Sequence, residues 1–146
     1  YGQGNPINIE MKVHEKEGGQ LHLDLAATNA RIKADRLHLT NIIHNLVDNG
    51  VKYSKGAPDI RIGLKNEGKE VVFSVQDNGI GIAKEHQKHV FDKFYRVPTG
   101  NVHNVKGFGL GLFYVKTICK EHRWKLGLHS EPGKGTRVEI RMASIA

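Results

Sequence analysis

Apolar and polar residues alternate twice near the start of the chain: Ile7, Ile9, Met11 and Val13 with Asn8, Glu10 and Lys12, then Leu21, Leu23 and Leu25 with His22 and Asp24. A period of two is that of a half-buried strand, and Gly18-Gly19 between the runs predicts a hairpin. From Asp35, a suitable N-cap, the period lengthens. Leu39, Ile42, Ile43, Leu46, Val47, Gly50 and Val51 recur at helical spacing to about Ser54, while Asn41, Asn45, Asp48, Asn49 and Lys52 form a polar stripe on the other face. Alternation returns at Ile60, Ile62 and Leu64, and after a turn at 66–69 it continues at Val71, Phe73 and Val75. Asp77 falls in phase with these last three, and a carboxylate at the core-facing end of a strand costs free energy unless something hydrogen-bonds to it. Ala83 to Phe94 predicts a short helix, Tyr95 to Gly107 an irregular polar loop long enough to be a lid, and Leu110 to Glu121 a helix. Lys125–Ser130 and Thr136–Met142 read as strands joined across Pro132-Gly133-Lys134-Gly135, with Thr136 in phase with Val138, Ile140 and Met142.

Strands, helix, strands, helix, loop, helix, strands is an order that suits an α+β, two-layer sandwich: a mixed, mostly antiparallel sheet with about three helices on one face. The 146 residues, 38% hydrophobic, fit a single domain over 1–146. No run approaches the roughly 18–20 apolar residues of a membrane span. Tyr1 begins in mid-pattern, so a fragment of a longer chain is expected. Cys119, the single cysteine, has no internal disulfide partner, and a reducing compartment is the default.

Composition adds two features. The 17 glycines exceed the roughly 7% of an average chain, with no repeat to account for them. The formal charge of +7 suggests an anionic partner, and from Lys93 to Lys125 seven basic residues face one acidic residue, Glu121. Three glycine clusters stand out: Asp77-Asn78-Gly79-Ile80-Gly81, Gly107-Phe108-Gly109-Leu110-Gly111 and Gly133-Lys134-Gly135-Thr136. The second runs into a helix, where amide N–H groups and the helix dipole can meet phosphate. It is not a familiar phosphate loop. Leu112 stands where a dinucleotide fingerprint needs its third glycine, and the other candidate, Gly63 to Lys69, has Glu70 where a Walker loop needs Ser or Thr. Asn45 and Asn49 are one helical turn apart and Lys52 nearly another, so the three can face one cleft. His86 and His89 are spaced as a helical metal pair but lack further ligands and read as solvated positions.

NxxxNxxK on an amphipathic helix, DxGxG ending a strand, a lid, GxGxG opening a helix and GxGT before a final strand together resemble the Bergerat ATP-binding fold. That fold is shared by gyrase, the heat-shock protein of ninety kilodaltons, the mismatch-repair ATPase and bacterial histidine kinases. Asn45 to Ser54 (NLVDNGVKYS) is similar to the N box of the catalytic domain of two-component sensor histidine kinases, and Val90 to Arg96 (VFDKFYR) to its F box. The resemblance spans roughly Arg31 to Ile140.

It implies ATP and Mg²⁺ as ligands. Asn49 would coordinate the metal, with Asn45 beside it, Lys52 on a phosphate and Tyr53 near adenine. Asp77 would accept from the adenine amine, Gly79, Gly81 and Ile82 would border the base, and Thr136 would add a contact there. Gly107, Gly109, Leu110, Gly111 and Leu112 would cradle phosphates where an ATP lid at about 95–109 meets the next helix, with Arg96 and Lys106 reaching them. Asn45 replaces the water-activating glutamate of the ATPase relatives. The implied nucleophile is a histidine on a separate dimerisation/phosphoacceptor domain of the same full-length protein, with a response-regulator receiver domain downstream. Neither nucleic acid nor direct membrane contact is expected, and the location implied is the cytoplasmic side of a membrane-anchored kinase. Two rivals remain, a serine kinase of the anti-sigma type and, from its charge alone, a basic nucleic-acid-binding module. Two departures from the family pattern are Gly50, where alanine is usual, and His122-Arg123-Trp124, where His-Gly-Gly is common; Trp124 reads as a packing residue.

Overall fold

The structure, a computed structural model, describes residues 19–25, 36–54, 56–95 and 111–143. The elements are β1 (Gln20–Leu25), α1 (Arg36–Lys52), β2 (Asp59–Glu67), β3 (Glu70–Gln76), α2 (Lys84–Gln87), α3 (Gly111–Glu121), β4 (Lys125–Glu131) and β5 (Gly135–Ala143). They form one five-stranded sheet in the order β1-β2-β3-β5-β4. β1 lies parallel to β2, which the intervening α1 makes possible, and the remaining neighbours are antiparallel. The sheet is thus mixed and mostly antiparallel, with its helices on one face. The partner proposed for β1 in an N-terminal hairpin lies outside the described residues.

The phase of the strands settles which face is buried. Val71, Phe73 and Val75 stand opposite Met142, Ile140 and Val138. These side chains meet Leu46, Val47 and Val51 of α1 and Val115, Ile118 and Cys119 of α3 in one core. The other face is mostly polar, although Val72 is buried there opposite Arg141; on it Arg141 pairs with Glu139 at 3.2 Å and Glu67 at 2.9 Å. Burial pushes the Cys119 thiol up to about 12, which leaves it unreactive in the folded chain.

Two local features differ from what periodicity suggests. The helix expected from Ala83 to Phe94 is only Lys84–Gln87. Beyond it the backbone closes three residues back, with His89, Asp92 and Tyr95 N–H groups donating to His86, His89 and Asp92 carbonyls. Such tight turns bring every third side chain onto one face, and there His86 Nδ1 meets the Tyr95 hydroxyl and His89 meets Asp92. The second feature is the end of α3. Arg123 takes a left-handed φ of 59°. The Trp124 N–H donates to the Cys119 carbonyl at 2.8 Å and the Arg123 N–H to Lys120 at 3.2 Å. This is a Schellman cap with arginine at the position glycine normally takes. The turn therefore keeps the glycine geometry despite the sequence, and Trp124 stacks on His122 (4.4 Å) and packs against the core.

Candidate functional site

The polar stripe of α1 faces the start of α3. A Cβ built on Gly111 would lie 3.5 Å from Asn45 Oδ1. One turn earlier on α1, Asn41 Nδ2 donates to the Tyr114 hydroxyl at 3.4 Å. Lys52, at the helix end, pairs with Asp48 one turn back at 3.0 Å. Asn45, Asn49 and Lys52 thus lie along one helix, with Asn45 against the first turn of the next.

Asp77 closes the other side. Its own N–H donates to the Thr136 carbonyl at 2.8 Å. Its Oδ1 accepts from the Gly79 N–H at 2.8 Å and the Thr136 N–H at 3.1 Å. Burial pushes this carboxyl above its ordinary value, while the two N–H donors pull it back. Room for it comes from α1, since a Cβ on Gly50 would sit 3.1 Å from Asp77 Cβ and 2.7 Å from Ile60 Cδ1. Glycine at position 50 has a structural reason: it lets the helix carrying Asn45 and Asn49 lie directly on Asp77.

The glycines after Asp77 serve the chain's own backbone. A Cβ on Gly79 would be 2.7 Å from the Tyr53 carbonyl oxygen, and one on Gly81, where φ is +73°, would be 2.0 Å from that of Glu131. Gly135, at φ +103°, is pressed just as closely against the Asp77 carbonyl. The Ile80 N–H donates to Tyr53 and the Ile80 carbonyl accepts from Gly133. The end of α1, the loop after Asp77 and the β4–β5 turn are therefore one interlocked unit.

Two members of this unit escaped the sequence reading. Ser130 Oγ accepts from the Ile82 N–H at 2.8 Å, and it lies 3.0 Å from the Gly135 carbonyl and 2.7 Å from Thr136 Oγ1. Gln87 Nε2 donates to the carbonyls of both Ile82 and Ser130. A cavity of about 580 Å³ is lined by Gln76, Gln87, Ser130, Thr136 and Arg137, among others; it adjoins the corner around Asp77 through Thr136, and neither Asp77 itself nor any residue of α1 lines it. Leu112, assigned to the phosphate cradle, packs against the core. Arg96, Lys106, Gly107, Gly109, Leu110 and all of the lid but Tyr95 lie outside the described residues.

The arrangement offers a carboxyl acceptor held by two backbone N–H groups, amide oxygens along a facing helix and a helix start beside them. The family model of histidine kinase-, DNA gyrase B- and HSP90-like ATPases matches residues 34–144, and the chain belongs to that family. Two of its relatives carry the name sensor protein. It is 50% identical over 130 residues to sensor protein RprX of Bacteroides fragilis, covering 88% of this chain and 25% of that protein. To SrrB of Staphylococcus aureus the identity is 37% over 108 residues, covering 74% and 18%. The mycobacterial sensor histidine kinase MprB superposes with a TM-score of 0.78 at 21% identity, covering 95% of this chain and 92% of that one. Within the family, then, the chain is an ATP-binding catalytic domain of the sensor histidine kinase type. It spans 25% of the length of RprX and 18% of that of SrrB.

Proposed function

We propose that this chain binds Mg-ATP and presents the γ-phosphate to a histidine on a separate dimerisation domain of the same protein, which then supplies a response-regulator receiver domain. The observation that carries this reading is Asp77, a carboxylate held by two backbone N–H groups beneath the helix that bears Asn45 and Asn49. Its unshared lone pairs suit an N–H donor such as the adenine amine. Thr136 borders the same corner, with Tyr53, Gly79, Gly81 and Ile82 in the loop around it.

The donor set fits magnesium. Asn49 and Asn45 offer hard amide oxygens, and Mg²⁺ takes few protein ligands beside substrate phosphates. Bound there, the ion would neutralise charge on the phosphates. Lys52, released from Asp48, and the basic residues of the lid, Arg96 and Lys106, would add to that neutralisation, and Gly107, Gly109 and Gly111 would admit phosphate to the backbone at the start of α3. Asn45 has no basic group with which to activate water, so the site positions the nucleotide for an incoming imidazole. No helix among the described residues is long and apolar enough to cross a membrane. We assign the domain to the cytoplasmic side of a membrane-anchored kinase.

The test is to incubate the chain with γ-labelled ATP, with and without a dimerisation domain bearing its histidine. Acid-labile label on the added domain, with little free phosphate in its absence, is the expected result. Rapid phosphate release by the chain alone would overturn the reading.

A further inference from the structure

Ser130 is a polar residue on the inward face of β4, beside the corner that holds Asp77, and it has one proton and two lone pairs to share among three neighbours. The Ile82 N–H, 2.8 Å away, is a donor and takes one lone pair. The Gly135 carbonyl, at 3.0 Å, is an acceptor and takes the proton. The one role left toward Thr136 Oγ1, at 2.7 Å, is acceptance. Satisfying all three contacts therefore requires Thr136 to donate its proton to Ser130. The Thr136 hydroxyl then offers only lone pairs to a ligand, as does the ionised Asp77 carboxylate that the Thr136 N–H holds at 3.1 Å.

We infer that Ser130 is a positioning residue for base selectivity, fixing the Thr136 hydroxyl as an acceptor so that the corner takes a purine with an amino group at position 6 and rejects one with a carbonyl. The inference rests on the proposed adenine site. A free threonine hydroxyl can turn to donate to a 6-oxo group, and removing Ser130 Oγ restores that freedom. The Ile82 backbone remains tied through Gln87 Nε2 on its carbonyl, at 2.9 Å, so the loop keeps one of its braces.

The experiment compares Mg-ATP with Mg-ITP, which differs at position 6, by titration calorimetry on the wild-type chain, Ser130→Ala, Thr136→Val and the double variant, with thermal unfolding of each to verify folding. Wild type is expected to prefer ATP. In Ser130→Ala the ratio of ITP to ATP dissociation constants should fall about three- to tenfold, the range of one neutral hydrogen bond, mostly through tighter ITP binding. In the Thr136→Val background the same substitution should leave the ratio unchanged, because Ser130 acts through that hydroxyl. An unchanged ratio in Ser130→Ala, or an equal fall in both backgrounds, would overturn the assignment while leaving the adenine site standing. Equal affinity of the wild type for both nucleotides would remove the adenine reading, and this inference with it.

Discussion

Replacing Gly81 by alanine separates two reasons for a glycine after Asp77: room for a ligand, or room for the chain itself. At φ +73° an L-residue is strained by about 1–2 kcal/mol. The new Cβ would also stand 2.0 Å from the Glu131 carbonyl oxygen, 2.6 Å from its carbon and 2.9 Å from Pro132 Cα, all backbone atoms. Overpacking of that kind costs about 1–3 kcal/mol, so the sum is about 3 kcal/mol without any ligand. Two other glycines calibrate it. Gly68 has φ +63° with nothing within 4 Å of where a Cβ would stand, and Gly56 has open space with no positive φ. Gly68→Ala should cost only the backbone strain, about 1 kcal/mol, and Gly56→Ala should stabilise slightly, by about 0.4–1 kcal/mol, through the lower entropy of the unfolded chain. At about 3–4 °C per kcal/mol, the ligand-free melting temperature should fall by about 10 °C for Gly81→Ala and about 4 °C for Gly68→Ala. Urea midpoints should give the same ranking. A Gly81→Ala chain that melts no lower than Gly68→Ala would refute the packing argument and return the glycine to the ligand.

Asp77→Asn keeps an oxygen for the Gly79 and Thr136 N–H groups and removes the buried charge. The folded pKa of Asp77 lies above its unfolded value, so its ionisation costs stability at neutral pH and that cost vanishes as pH falls through the folded pKa. The ligand-free variant should thus melt at or above the wild type at pH 7, the gap closing on acidification; a gap that widens would contradict the burial argument. Arg123→Gly should stabilise the chain by about 1 kcal/mol, read from urea midpoints, by relieving the left-handed strain in the α3 cap. A loss of stability there would mean that the arginine side chain contributes more than its backbone conformation costs.

Particular residues show where local pattern suffices. The 3.6 period placed α1 to within two residues, and the inward phase of Asp77 marked it before any partner was visible, because burial of a charge is a contradiction readable in one dimension. Ser130 carries the same signal, in phase with Leu126 and Leu128, but a serine in a strand is too ordinary to stand out. The i,i+3 spacing of His86, His89, Asp92 and Tyr95 fits a helix and a string of tight turns equally well, and only the hydrogen bonds decide. Gly50, Gly81 and Gly135 make room for neighbours far away in sequence, so their reasons are tertiary. The parallel pairing of β1 with β2 is invisible to alternation, which fixes a strand's faces and not its partner.

The most direct test of the account is thermal unfolding of the chain with Mg-ATP, Mg-GTP or an oligonucleotide, repeated on Asp77→Asn. ATP alone should stabilise the wild type, by about 2.7 kcal/mol at a hundred times the dissociation constant, and should not stabilise the variant. Equal stabilisation by GTP, a shift with the oligonucleotide only, or an undiminished ATP effect in Asp77→Asn would contradict the account.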